Sequence, residues 1–282
     1  MRRGFTLIEM VFVIVIMGIL SKFGVELLLK TYDNYVYSNV TNRLLNQSES
    51  AVKFISNHLQ YRIKDSTIAR LNSGSPLPPP VPIGSVTGDL KVLEWIGVDH
   101  KGQRTIGAPS WSGLIDLGAS TATQLATPGS AYDQNESGAI FFVGSDVDLN
   151  AKFGWTGAIG DQNASMHRVK FQKIAGRSYM VPNQLAHDFS EAEGGVFEFY
   201  QFSKSAYGVS LEGRKLWFYY NYQPWAGDNL NNNVKKSLIM ENVTSFAFTA
   251  LGDILVIQVC VGDNNLTLSN KEYAICKEKV VF

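Results

Sequence analysis

The chain has 282 residues, and its 25 basic side chains are balanced by 25 acidic ones. No gross charge therefore points to a nucleic-acid or acidic partner. Aromatic residues are abundant and glycine is common, which favours strands and turns over a helical bundle. Beyond its apolar amino terminus, the sequence predicts one sizeable folded domain.

The amino terminus contains a segment that is long and apolar enough to cross a membrane. Arg2 and Arg3 precede an apolar run that extends from Phe5 to about Leu28. A helix of that length reaches roughly 35 Å, and the core of a bilayer is about 30 Å thick. The two arginines favour a cytoplasmic amino end. No later run is long enough to cross, so we expect the bulk of the chain to lie outside the cytoplasm.

Glu9 is the unusual residue of this apolar run. A carboxylate inside a membrane span costs about 2.5–3.5 kcal/mol on insertion scales, so an isolated one needs a partner. A simpler interpretation is that Glu9, close to the start of the run, reaches the lipid headgroups.

The residues around Glu9 favour a more specific interpretation. The segment Gly4-Phe5-Thr6-Leu7-Ile8-Glu9 follows a very short basic leader and opens the apolar run. It resembles the prepilin-peptidase site of type IV pilins and type II secretion pseudopilins. A secretory signal peptide is cut after its apolar region. Here the small residue precedes that region, so the apolar helix would survive processing.

The resemblance implies a role for three residues. Prepilin peptidase would cleave between Gly4 and Phe5, so residues 1–4 form a leader, and the new amino-terminal Phe5 would be N-methylated. Glu9 would pair with the amine of a neighbouring subunit in the filament. The implied location is the bacterial inner membrane, with a single span and a periplasmic head, followed by the filament or its tip after assembly.

A helical pattern continues past the apolar run. Apolar residues recur at spacings of four and seven, and no proline occurs before Pro76; the recurring residues are Val36, Val40, Leu44, Ala51, Ile55, Leu59 and Ile63. We therefore predict one continuous helix of about 65 residues. Residues 5–29 would form its transmembrane and assembly half, and residues 30–72 its amphipathic half.

A proline-rich connector, residues 73–85, separates this helix from a β-rich head, residues 86–282. The predicted fold class is α+β and type IV pilin-like, with the long helix packed on an antiparallel sheet. The clearest predicted strands are Arg168–Ile174, Ser178–Val181, Arg214–Tyr222, Ser245–Ala250, Ile254–Val261 and a short Lys279–Phe282.

Cys260 and Cys276 are the two cysteines of the chain. Their proximity in the sequence fits one disulfide in an oxidising compartment, and two reduced core thiols are the alternative. A disulfide would close a loop of about 15 residues, which is worth roughly 3 kcal/mol in the chain-entropy model.

The head shows no set of residues typical of an enzyme or of a resident cofactor. The four histidines are scattered without metal-ligand spacing, and phosphate-binding loops are absent. Asp228, Asn229 and Asn231 form an oxygen-rich loop that could hold Ca²⁺. Such clusters also form ordinary turns. We therefore predict no enzyme activity and no cofactor, with Ca²⁺ as the one candidate.

Three glycosylation sequons have an aspartate two residues before the asparagine. These are Asn135, Asn163 and Asn265. The pattern resembles the extended acceptor site of bacterial N-linked oligosaccharyltransferases, which act in the periplasm. The alternative is that Asp and Asn simply co-occur in turns.

An aromatic group near residue 220 is a possible stacking surface for a sugar or single-stranded DNA. Its members are Trp217, Tyr219, Tyr220, Tyr222 and Trp225. Alternate positions of a strand face opposite ways, so at least half of these rings should lie in the core.

The sequence thus predicts a minor pilin or pseudopilin of a type II secretion, type IV pilus or DNA-uptake filament. Its partners would be other pilin or pseudopilin subunits, prepilin peptidase, the inner-membrane assembly platform, and membrane lipid before assembly. DNA or secreted cargo are further candidates. The alternative is a membrane-tethered periplasmic enzyme or sugar-binding module with a prepilin-like anchor.

Overall fold

The computed structural model describes residues 6–85, 90–104, 106–132, 136–143, 153–155, 166–183, 189, 196–268 and 271–282. One long amino-terminal helix precedes a head built from antiparallel β-sheets. The predicted α+β fold class, with a long apolar helix and a β-rich head, is confirmed.

Residues 7–35 of the long helix are all exposed, and we call this segment the bare half. The second half of the helix is docked on the head. Helix α1 comprises Leu7–Leu59. Its buried residues recur at spacings of three and four, which places them on one face; they are Leu44, Ser48, Ala51, Val52, Ile55, Ser56 and Leu59. The head therefore covers one face of the carboxyl-terminal part of α1.

The helix ends at Leu59, before the boundary predicted at residue 72. The Tyr61 amide donates to the carbonyl of His58, and the Arg62 amide donates to that of Leu59, which tightens the last turn. The next amide, of Ile63, donates instead to the carbonyl of Ile96 in the head. Ile63 is buried there, so its apolar side chain belongs to the β-rich core rather than to the helix face.

The strand bounds are β1 Ile68–Arg70, β2 Val81–Pro82, β3 Val92–Gly97, β4 Asp116–Thr121, β5 Gln124–Ala126, β6 Ser137–Phe142, β7 Met166–Ile174, β8 Arg177–Pro182, β9 Tyr200–Ser203, β10 Ser205–Glu212, β11 Lys215–Tyr222, β12 Lys235–Glu241, β13 Val243–Leu251, β14 Ile254–Leu268 and β15 Lys271–Val281. A short helix α2, His100–Gln103, follows β3, and single 3₁₀ turns occupy Lys64–Ser66, Ile83–Ser85 and Pro224–Ala226.

These strands form three antiparallel sheets within the described residues. The first has the order β12-β11-β10-β3-β1-β2, the second β4-β5-β8-β7-β6-β9, and the third β13-β14-β15. Strands β1 and β2 precede residue 86, so the first sheet begins before the predicted start of the head. The segment predicted as a connector is thus partly a strand of that sheet.

The main core joins α1 to two of the sheets. Leu44 and Ile55 of α1 belong to the same buried cluster as Trp95 and Phe218 of the first sheet. Ile257 of the third sheet lies in that cluster as well. The second sheet has its own apolar core, built around residues such as Trp111 and Phe171. The helix is therefore part of the interior of the head rather than an attachment to its surface.

Two predicted hairpins are present, and the last two strands are longer than predicted: β14 extends to Leu268 rather than to Val261, and β15 also differs. Strands β7 and β8 meet at Ala175 and Gly176, whose φ angles of 49° and 79° suit a two-residue turn. Strands β13 and β14 meet at Gly252, which also has a positive φ. Strand β15 pairs along β14 and starts at Lys271 rather than at Lys279. Because β15 is an edge strand rich in charges, its alternation is hard to see in the sequence.

A buried ion pair lies at the centre of the first sheet. The Arg70 Nε atom is 2.6 Å from Glu94 Oε1, and their side chains are 2% and 1% exposed. The Tyr222 hydroxyl donates to Glu94 Oε2 at 2.8 Å. Arg70 also donates to the carbonyl of Pro78 and, at 2.9 Å, to that of Trp155. This network ties the proline-rich segment to the sheet.

Removing the charge of Glu94 should destabilise the head strongly. The variant Glu94→Gln leaves the buried Arg70 guanidinium uncompensated, which costs about 3–5 kcal/mol. The measurement is urea unfolding of the full chain in detergent micelles, followed by tryptophan fluorescence.

The control variant is Glu241→Gln, since Lys215 and Glu241 form a half-exposed pair at 3.0 Å. Its free energy of unfolding should change by about 0–1 kcal/mol. Equal effects of the two variants would contradict a special role for the buried pair.

Candidate functional site

The amino-terminal half of α1 presents an apolar surface that the head does not cover. Leu7 is 84% exposed, Phe12 66% and Leu28 70%. Consecutive apolar residues from Val11 to Ile16 are exposed, so the apolar surface surrounds the helix. A helix that is apolar all round is stable when lipid or other protein surrounds it. By length and composition α1 can cross a membrane.

Glu9 and Thr6 form a capping box at the start of α1. The Thr6 amide and hydroxyl both donate to Glu9 Oε2, at 3.1 and 2.9 Å. The Glu9 amide lies 3.4 Å from Thr6 Oγ1, which accepts from it. These contacts satisfy backbone donors that the first turn of a helix leaves unpaired. They use Oε2 of the carboxylate and leave Oε1 available to a second donor.

Thr6 is a functional candidate that the sequence reasoning missed. The signal was present, because Thr6-Leu7-Ile8-Glu9 has the spacing of a capping box before an apolar run. The predicted cleavage residues Gly4 and Phe5 lie outside the described residues, which begin at Thr6. Cleavage between them and methylation of Phe5 remain predictions.

A polar contact marks the point where α1 leaves the head. The Tyr37 hydroxyl donates to that of Tyr273 in β15 at 3.1 Å, and the Thr41 hydroxyl is 3.2 Å from the same oxygen. Arg43 forms an ion pair with Asp263 in β14. These contacts lie just before Leu44, the first buried residue of α1. They fix the direction in which the bare half projects.

The structure joins Cys260 and Cys276 in a disulfide, as predicted. The two residues are directly opposite each other on β14 and β15. The disulfide therefore links the two strands that contact Tyr37 and Arg43 of the helix, three residues along each strand from those contacts. It holds the third sheet together next to the docked half of α1.

The candidate calcium loop uses its oxygens in turns. Asp228 Oδ2 accepts from the Gln223 amide at 2.9 Å, and Asn229 Oδ1 accepts from the Asn231 amide at 2.8 Å. Asp228 Oδ1 accepts from the side chain of Asn233. Such contacts are typical of Asx turns. The described residues contain no cluster of three or more His, Cys, Asp or Glu able to hold a metal. Ca²⁺ at Asp228, Asn229 and Asn231 stays a prediction.

The glycosylation candidates are not tested by the structure. Asn135 and Asn163 lie outside the described residues. Asn265 lies in β14, but its side chain also lies outside what is described. Glycosylation at these three positions stays a prediction.

The aromatic group of β11 is mainly core. Tyr219 and Tyr222 of the strand and Trp225 of the following turn are buried, so more than half of the group lies in the core, as predicted. Trp217 is partly exposed, but the Lys236 ammonium lies over its ring at 4.6 Å from the centroid. The strand therefore offers Trp217 and Tyr220 at the surface rather than five rings in one stacking platform.

The disulfide should contribute to the stability of the head. Replacing both Cys260 and Cys276 with serine should lower the free energy of unfolding by about 3 kcal/mol, because a loop of about 15 residues is no longer closed. Urea unfolding with and without a reductant provides the measurement.

The reductant should lower the stability of the natural chain and leave the double variant unchanged. An effect of similar size on both proteins would show that the reductant acts elsewhere. No effect on either would contradict a stabilising disulfide.

The amino terminus matches a known family model. Residues 1–21 match the model described as the prokaryotic N-terminal methylation motif, which is the signal of type IV pilins and pseudopilins. The match includes Gly4, Phe5, Thr6 and Glu9 and ends within the bare half of α1. Comparison with curated proteins and with solved structures finds no match to the chain.

Proposed function

Because the chain begins with the amino-terminal signal of type IV pilins and pseudopilins, we propose that it is a minor pilin or minor pseudopilin. It is a structural subunit that is made in the bacterial inner membrane and then enters a periplasmic filament or its tip. The main support for this proposal is the position of the methylation motif at the start of an uncovered apolar helix.

The bare half of α1 suits two successive environments. A helix satisfies its own backbone hydrogen bonds, so it can lie in lipid without unpaired groups. The same apolar side chains can pack against copies of such helices after assembly. Membrane lipid therefore surrounds residues 5–29 before assembly, and neighbouring subunits replace lipid afterwards. The head stays in the periplasm, where the Cys260–Cys276 disulfide is stable.

Glu9 supplies the charge that makes assembly specific. In the isolated chain Thr6 partly satisfies its carboxylate through Oε2. The second oxygen, Oε1, can accept from the amine that cleavage creates on Phe5 of a neighbouring subunit. A carboxylate and an ammonium group in an apolar surrounding attract each other strongly, so a misplaced subunit would leave both charges unpaired. Glu9 thus sets the register of one helix against the next.

The proposal gives the chain a mechanical rather than a catalytic role. The methylation motif indicates a structural subunit. The partners are other pilin or pseudopilin subunits, prepilin peptidase and the inner-membrane assembly platform. The disulfide and the size of the head favour a minor subunit over the major one. A head of this size suits a place at the filament tip, where it can contact DNA or secreted cargo.

Processing at the amino terminus tests the proposal. The intact mass of the protein should be compared in cells with and without prepilin peptidase. Cells with the enzyme should yield a chain that lacks Met1 to Gly4 and carries a methyl group on Phe5. The variant Gly4→Leu should keep the leader in both cells. An unprocessed natural chain in cells that process other prepilins would overturn the proposal.

Glu9 should be needed for assembly but not for processing. The variant Glu9→Ala should reduce the amount of the protein in sheared filaments at least tenfold, because the neighbour's ammonium group loses its partner. Its leader should be removed normally. Quantitative immunoblots of filament and membrane fractions provide the measurement.

The matched control is Glu26→Ala in the same bare helix. Glu26 forms an exposed pair with Lys30, one turn away, at 3.2 Å. Its partner belongs to the same chain and lies just outside residues 5–29, where the long Lys30 side chain can reach the headgroups. Loss of Glu26 therefore leaves no neighbour's charge unpaired, and incorporation should stay near the natural level. Normal incorporation of Glu9→Ala would remove the role assigned to Glu9.

A further inference from the structure

A cavity of about 460 Å³ opens on the head at the end of α1 that is far from the bare half. Its volume lies within the range of small-molecule sites. One side is formed by the segment between α1 and β1, and the facing side by the hairpin of β13 and β14. The proline-rich segment, through Pro82 and Ile83, forms a further wall. The cavity thus lies at the seam between the first and third sheets.

The walls combine an apolar surface with a few polar groups. Pro82, Ile83, Ala250 and Leu255 supply apolar surface. Arg62 and Thr67 supply hydrogen-bond donors. Sites for small ligands commonly have this composition, in which the apolar walls hold the ligand and the polar groups orient it.

Thr67 is a buried polar residue whose hydroxyl has no partner among the described residues. Its side chain is 3% exposed, and Oγ1 makes no hydrogen bond there. The backbone of Thr67 is satisfied, because its amide donates to Lys64 and its carbonyl accepts from Ile83, both at 3.2 Å. Buried hydroxyls are nearly always paired. Thr67 lines the cavity but its Oγ1 atom is covered, so a rotation about χ1 is what would turn the unpaired hydroxyl toward a ligand there.

Arg62 provides a positive charge at the same cavity. Arg62 is 7% exposed. Its guanidinium donates to two carbonyl oxygens, those of Leu59 at 3.0 Å and Asp253 at 2.6 Å. Burial lowers the pKa of Arg62, since the surroundings disfavour its charge. A guanidinium has five N–H donors, so two carbonyls leave some of them for an anion.

The other charged side chains that line the cavity do not serve as buried donors to an anion. The Lys64 ammonium is 3.2 Å from the Asp253 carboxylate, and both side chains are about half exposed or more. Asp65 lies at the rim, where partial desolvation and the nearby Asp253 carboxylate raise its pKa. Lys64 and Asp253 therefore largely compensate each other at the rim. The buried donors inside, on Arg62 and Thr67, favour a negatively charged oxygen group.

We infer that this cavity binds a carboxylate carried on a short apolar group. One carboxylate oxygen accepts from the Arg62 guanidinium, and the other accepts from the Thr67 hydroxyl. The apolar part of the ligand packs against Ile83 and Leu255. A small organic acid and the end of a polypeptide with an apolar last residue both offer this chemistry.

The inference concerns the head alone and does not rest on the proposed role in a filament. The cavity lies at the end of α1 remote from residues 5–29, so a subunit at a filament tip would present it outward. Failure of binding would leave the processing and assembly experiments unaffected. Failure of processing would likewise leave the cavity and its test in place.

Titration of the full chain in lipid nanodiscs tests the inference. The probes are N-acetyl-leucine, its neutral amide, and hexanoate, with binding followed by calorimetry and by saturation-transfer NMR. We expect N-acetyl-leucine to bind at least tenfold more tightly than its amide. Tighter binding of N-acetyl-leucine than of hexanoate would indicate a peptide end as the source, and the reverse a small organic acid.

The variant Thr67→Val keeps the shape of the side chain and removes its hydroxyl. It should weaken carboxylate binding about tenfold, because a hydrogen bond to a charged group is lost. Thr67→Ser should retain most of the affinity. The control Thr123→Val, in the exposed turn between β4 and β5, should bind as the natural chain does.

Three results would overturn the inference. Equal binding of acid and amide would remove the role of the charge. Unchanged binding by Thr67→Val would remove the role of the hydroxyl. The absence of binding by both acids at millimolar concentration would show that the cavity holds solvent only.

Discussion

The packing of one face of α1 between two sheets is the constraint on which the rest of the structure depends. Leu44, Ile55 and Leu59 are nearly inaccessible because strands of the first and third sheets meet over them. The head cannot be separated from this half of the helix without opening its main core. The other half of α1 has no such cover, and its apolar side chains require an environment that the chain itself does not supply. An apolar helix half without cover and a β-rich head are thus joined through one continuous helix.

Polar contacts control how this element enters and leaves the head. Tyr37, Thr41 and Arg43 fix the helix to β14 and β15 where it emerges, and the Cys260–Cys276 disulfide joins those two strands. At the other end, the Arg62 guanidinium joins the Arg62 amide in donating to the carbonyl of Leu59 at the end of the helix. A force applied to the bare half is therefore transmitted to the sheets. This connection suits a subunit whose helix packs in a filament while its head makes contacts outside.

Local patterns in the sequence predicted much of this architecture. The amino-terminal motif, the long helix, the disulfide and the hairpins at Ala175–Gly176 and Gly252 all depend on neighbouring residues. The predicted end of α1, at residue 72, was wrong because Ile63 satisfies the helical period but is buried among strands. The pairing of Arg70 with Glu94 and the cavity at Thr67 depend on segments that meet only in the folded head. Sequence periodicity carries no information about such contacts. Thr6 is different, since its capping spacing was visible in the sequence.

The central claim is that the bare half of α1 becomes buried against other subunits. It is tested most directly by placing a photoreactive phenylalanine analogue at Ile14, which is 67% exposed in the isolated chain. Cells that contain the assembly machinery and cells that lack it are irradiated, and the crosslinked products are identified by mass spectrometry. We predict crosslinks to the amino-terminal helices of pilin-like subunits only where the machinery is present. Crosslinks to lipid alone in both kinds of cell would show that the helix is a permanent membrane anchor and would contradict the account.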